Sequence, residues 1–137
     1  MSLSDGSLEF TLQQLKQVRG SFLQLHKALL EAEKQSYEYT HGRIQSRGEF
    51  FQLVIGHEWF DWLRPMSQFI AHVDERLASK EEPIALTEAR DLIEKARQLV
   101  YLTGDIPLEE TNYYQAIQRD PDVAFMHIKA TQLLSRG

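Results

Sequence analysis

The chain has 137 residues, no cysteine, 42% hydrophobic and 26% charged side chains, and a net charge of −5. That fits one globular domain able to bury its own core, and it excludes disulfides, thiolate catalysis and cysteine-type zinc sites. The acids concentrate in residues 81–122, where ten acids against four bases leave −6, a balance that repels phosphate backbones and argues against nucleic-acid binding.

The opening stretch MSLSDGSLEF has neither a basic n-region nor an apolar h-region, so no signal peptide is expected. No apolar run approaches the ~20 residues of a membrane span. With no cysteine as well, the expectation is a cytoplasmic protein and no membrane partner. The chain reads as a single helical domain, 1–137, with residues 1–7 disordered or cloning-derived.

Leu8, Thr11, Leu15, Val18, Phe22, Leu25, Leu29, Ala32, Ser36 and Tyr39 recur at alternating spacings of three and four, a heptad seam. Gly42 is placed to stop that helix. A straight helix from 8 to 41 would be about 50 Å long, against about 37 Å for a compact domain of this size. The two lengths conflict. Either the helix breaks near Gly20, or it overhangs and pairs with a second copy through Leu8, Leu15, Val18 and Phe22.

Ser46-Arg47-Gly48-Glu49 is a capping box that opens a second helix. A third helical run carries Trp59, Trp62, Met66, Phe69, Val73 and Leu77 on one face. Pro65 inside it predicts a kink or a fresh helix start. Thr87 caps a fourth helix with Ala89, Leu92, Ile93, Ala96, Leu99 and Val100 buried, and Gly104 stops it. A short helix follows near 108–118. Asp120-Pro121 caps and starts the last one, which buries Val123, Met126, Ala130 and Leu133 or Leu134. No strand pattern competes. The fold class is all-α, a bundle of five to six helices.

The stretch Gly56-His57-Glu58-Trp59-Phe60-Asp61-Trp62 holds both tryptophans. His57-Glu58-Trp59-Phe60-Asp61 resembles the zinc-protease pattern HExxH with aspartate in place of the second histidine. No third ligand follows at a family spacing, and a helix junction with two first-turn acids explains the same residues. Helical di-iron bundles draw carboxylates and histidines from several helices. On that model an iron or zinc ion would use His26, His57, Asp61, His72 and Glu75. The one Glu-x-x-His, Glu38 to His41, falls at a helix end. Phe51, Trp59, Trp62 and Arg64 would line an apolar ligand pocket, although aromatics at helical spacing more commonly fill a core. No nucleophile motif and no phosphate loop is present, so no catalytic residue and no cofactor is expected.

Tyr101-Leu-Thr-Gly-Asp105 followed by Tyr113-Tyr-Gln-Ala-Ile-Gln-Arg-Asp-Pro-Asp-Val-Ala124 resembles part of a tetratricopeptide repeat. The resemblance implies a local helix-turn-helix with Pro121 starting the last helix. It covers residues 101–124 only, and no second copy follows at the repeat period, so it implies no peptide groove. HEWFDWLRPMSQFIAHVDE with QRDPDV resembles an uncharacterised family of small bacterial all-helical proteins, which implies a bacterial source and no activity. Together these readings favour a non-enzymatic protein-protein interaction module that forms a homodimer or binds an unknown protein partner. The alternative is a metal- or small-ligand-binding bundle with its site at the His57–Trp62 corner.

Overall fold

A computed structural model describes residues 3–101 and 110–135. The fold is an all-α, six-helix bundle with a long first helix. α1 spans Leu3–His41. It runs through Gly20 without a break. Gly42 ends it in the left-handed conformation, φ 87, its N–H donating to the Glu38 carbonyl at 3.0 Å.

α2 spans Arg47–Gly56. Ser46 Oγ accepts the Glu49 N–H at 3.1 Å, but Glu49 Oε2 accepts the N–H of Gln45 at 3.0 Å, one residue outside the expected box. A 3-10 segment, Glu58–Leu63, precedes α3, Arg64–Ala78. Pro65 in the first turn of α3 thus marks a fresh start, and Trp59 and Trp62 lie before that helix. α4, Leu86–Tyr101, begins one residue ahead of Thr87. The expected stop at Gly104 lies outside the described residues. α5 is Asn112–Arg119, with Thr111 Oγ1 accepting the Tyr114 N–H at 3.1 Å. α6 is Pro121–Leu134, and Asp120 Oδ1 accepts the N–H groups of Asp122 (2.9 Å) and Val123 (3.3 Å).

α1 is the axis, packed chiefly against α6, then α4 and α3. Gln14 donates to the Leu133 carbonyl at 3.1 Å and Arg119 reaches Glu33, so α6 lies antiparallel to α1. Arg19 holds Asp74 while the other end of α3 sits by His26, so α3 is antiparallel too. The core joins Leu15, Val18, Phe22, Leu25 and Leu29 to Val73, Val100, Val123 and Leu134. Leu99, Met126 and Leu133 only flank it.

This corrects the overhang argument. Leu15, Val18 and Phe22 have no exposed surface in a single copy, and Leu8 is half-buried. Leu15, Val18 and Phe22 face the chain's own helices and are not open to a second copy, while Leu8 keeps part of its surface. Buried positions on α1 run from Thr11 to Glu33, a stretch of about 34 Å at 1.5 Å per residue. That is the width of a compact domain. Beyond it the helix continues to His41, with Tyr37 packed against Trp59 and Phe60 and Tyr39 92% exposed.

Candidate functional site

The Gly56–Trp62 stretch is a corner, and His57 makes it. His57 ends α2 in an extended conformation, and its Nδ1 accepts the Trp59 N–H at 3.0 Å to open the 3-10 segment. A 3-10 turn is tighter than an α-turn, so His57 and Asp61 do not stand one α-turn apart on a shared face. The HExxH geometry is absent.

The five residues named as metal ligands do not converge. Among the described residues no three His, Cys, Asp or Glu side chains are grouped to hold a metal ion. His26 sits beside the Leu63 carbonyl, where burial lowers its pKa and that carbonyl partly opposes the shift. His57 spends Nδ1 on the cap. Asp61 receives Arg64 Nη2 at 3.1 Å. His72 and Glu75 are exposed on α3. Glu38, of the single Glu-x-x-His, accepts the Ile44 N–H at 2.8 Å, closing the end of α1.

Instead, a cleft of about 460 Å³ opens between α1, the 3-10 segment and α5. Its walls are Glu33 and Ser36 of α1, Glu58, Trp59, Asp61 and Trp62, and Asn112, Gln115 and Arg119 of α5. Both tryptophans of the chain line it. Phe51 and Arg64 do not. Phe51 is 61% exposed on α2, and Arg64 lies behind Asp61, also donating to the Ile55 carbonyl at 2.8 Å. The expected apolar pocket is therefore a polar cleft with two indoles.

Glu33 fixes its shape. This carboxylate is only 6% exposed. One oxygen accepts the Trp59 Nε1–H at 2.9 Å, and the other accepts Arg119 Nη2 at 2.8 Å. Charge-assisted bonds of this kind are the strong ones, and here they pin the 3-10 segment and α5 to one point on α1. Tyr37 and His41 meet the Trp59 ring edge-on, with centroids 5.8 and 5.3 Å away. Tyr37 also stacks on His41 at 4.2 Å. The indole is held on both its polar and apolar sides.

The lining includes one hydroxyl, Ser36, and no imidazole. Nothing there forms the hydroxyl-imidazole pair of nucleophilic catalysis. Sequence reasoning singled out the two tryptophans, Glu58 and Asp61 but missed Glu33, Ser36, Asn112, Gln115 and Arg119. Glu33 alone left a signal. It lies four residues after Leu29 on the buried stripe, where a charge is unexpected without a partner.

The second feature of the corner is α2 itself. Phe50, Phe51, Leu53, Val54 and Ile55 make it apolar, yet none of its residues is buried. Phe51 and Ile55, four residues apart on the same side, are 61% and 53% exposed. Arg64 joins this helix to the cleft by bridging the Ile55 carbonyl and Asp61. No helix among the described residues is long and apolar enough to cross a membrane.

Fold and corner define a class: an all-α bundle with a preformed polar cleft walled by indoles beside an exposed apolar helix. No protein-family model matches the chain, and comparisons with curated proteins and with solved structures find no match either.

Proposed function

We propose that this chain is a non-enzymatic interaction module that receives a partner protein at the Trp59–Trp62 corner. The observation that carries the reading is the cleft, whose wall contains both tryptophans and is held in place by Glu33. Tryptophan is enriched among the residues that dominate interface energies, and a wall already fixed costs little entropy to order on binding. The flanking ridge of Phe51 and Ile55 supplies apolar area. A bacterial cytoplasm suits the reading, since the chain has no cysteine to protect.

Photocrosslinking in cells tests this. Benzoylphenylalanine at Phe51 or Glu58 is expected to give one adduct of defined mass, and at Glu94, on the exposed side of α4, to give none. Equal adducts at all three positions, or none at any, contradict the proposal.

A second copy is the occupant favoured by one specific observation, the outer side of α2. A two-fold axis there would bury Phe51 and Ile55 of both copies against one another. This moves the homodimer contact from α1 to α2. Sedimentation equilibrium checks it: the expected dimer dissociates in Phe51→Glu, and a wild-type chain that stays monomeric at high concentration removes this occupant.

A further inference from the structure

We infer that the cleft accepts a single organic cation, a guanidinium or alkylammonium group. This rests on the reading of the corner as the binding surface. Three carboxylates line the cleft, Glu33, Glu58 and Asp61, against one guanidinium, Arg119. Their partners are distributed unevenly. Glu33 gives one oxygen to Trp59 and the other to Arg119 Nη2, so the charge of Arg119 is already balanced within the cleft. Asp61 shares one oxygen with Arg64. Glu58 is exposed and forms no ion pair among the described residues. Counting Arg64 as well as Arg119, the site retains one uncompensated negative charge, and that charge lies at Glu58.

The remaining walls suit the same guest. Indole is the best cation–π acceptor among side chains, and both indoles are here. Trp62 is half-buried at the cleft wall, and Trp59 is locked by its bond to Glu33. Asn112 and Gln115 offer amide oxygens to N–H donors and add no charge. A volume of about 460 Å³ falls in the range of small-ligand pockets and holds a group of this size together with its alkyl stem. For a carboxylate or a phosphate, the cleft offers no uncompensated cation among the described residues. A purely apolar group would desolvate Glu58 and Asp61 without replacing their water.

The test uses the full chain and its tryptophan fluorescence, excited selectively over tyrosine, since both tryptophans line this cleft. N-acetyl-arginine amide is titrated beside N-acetyl-citrulline amide, an uncharged molecule of nearly the same shape. The expected result is a saturable change with the arginine probe, none with citrulline, and weakening as salt rises. Glu58→Gln and Trp62→Leu are each expected to weaken binding roughly fivefold. Glu58 forms no side-chain hydrogen bond or ion pair among the described residues, and circular dichroism checks that Glu58→Gln and Trp62→Leu stay folded. Equal binding of citrulline overturns the cation inference and leaves the corner as a binding surface. Saturation by neither probe overturns the inference, and crosslinking then decides the interaction reading separately. Tighter binding of an arginine-centred tripeptide assigns the cation to a partner's side chain. Tighter binding of free butylguanidinium assigns it to a small molecule.

Discussion

Glu33 is the residue on which the corner turns. A buried carboxylate is expensive unless its oxygens are satisfied, and here both are, by Trp59 and Arg119. Glu33→Ala removes two hydrogen bonds to a charged group and is predicted to cost about 2–3 kcal/mol. Urea denaturation measures it, and a variant as stable as the parent sinks the clamp. A second pair lies at the other side of α5. Tyr113 and His127 are 2.8 Å apart, and burial raises the phenol's pKa and lowers the imidazole's. Both groups are therefore pushed toward neutrality, and the phenol and Nδ1 share one hydrogen bond. Burial lowers His26 as well. The sign follows from linkage: below the ordinary histidine value of 6.5 the unfolded chain takes up protons that the folded chain refuses. Stability is full above that value and falls as pH drops from it toward the folded pKa values. The denaturation midpoint is predicted to be lower at about pH 5.5 than at about pH 7.5, with a smaller drop in His127→Gln. A midpoint that does not fall contradicts the assignment. Local caps were legible in the sequence at this scale, because Ser46, Asp120 and Gly42 act within a few residues. The clamp was not, because Glu33 and Arg119 are 86 residues apart.

At the scale of elements, periodicity located the helices and proline located two boundaries, at Pro65 and Pro121. The length argument about α1 misled because it set a whole helix against a sphere. Only the covered part has to match the core. Gly20 shows how such a break was over-read. An added Cβ meets nothing within 4 Å, and its backbone is helical. Gly20→Ala is predicted to stabilise the chain by about 0.5–1 kcal/mol, through lower backbone entropy in the unfolded state. Gly42→Ala, at φ 87, is predicted to cost about 1 kcal/mol, because a side chain there strains the left-handed cap. Thermal melts of the two variants should shift in opposite directions, and a shared direction would contradict both. The 3-10 segment escaped sequence reading for a different reason. Trp59 and Trp62 are three apart, a spacing that suits an α-turn and a 3-10 turn equally.

For the whole molecule, the heptad seam was legible as a buried stripe but its owner was not. Periodicity states that a face is covered, not whether the cover comes from the same chain. α6, α4 and α3 cover it here. Val18→Glu is accordingly predicted to unfold the chain, at a cost on the order of 5 kcal/mol for a charge in the core, instead of separating two copies. Circular dichroism distinguishes the two, since a folded Val18→Glu monomer would return the seam to a dimer contact. With that face spent, the corner is the surface proposed for a partner. Its central claim is that the cleft stands ready in the isolated chain. The most direct measurement is the spectrum of the two indole N–H groups in nitrogen-15-labelled protein, with and without N-acetyl-arginine amide. The expected result is a Trp59 indole proton that exchanges slowly with water and becomes unprotected in Glu33→Ala, and a Trp62 resonance that moves as the probe is added. Two indole protons that exchange like free tryptophan, unmoved by the probe and unchanged in Glu33→Ala, would contradict it.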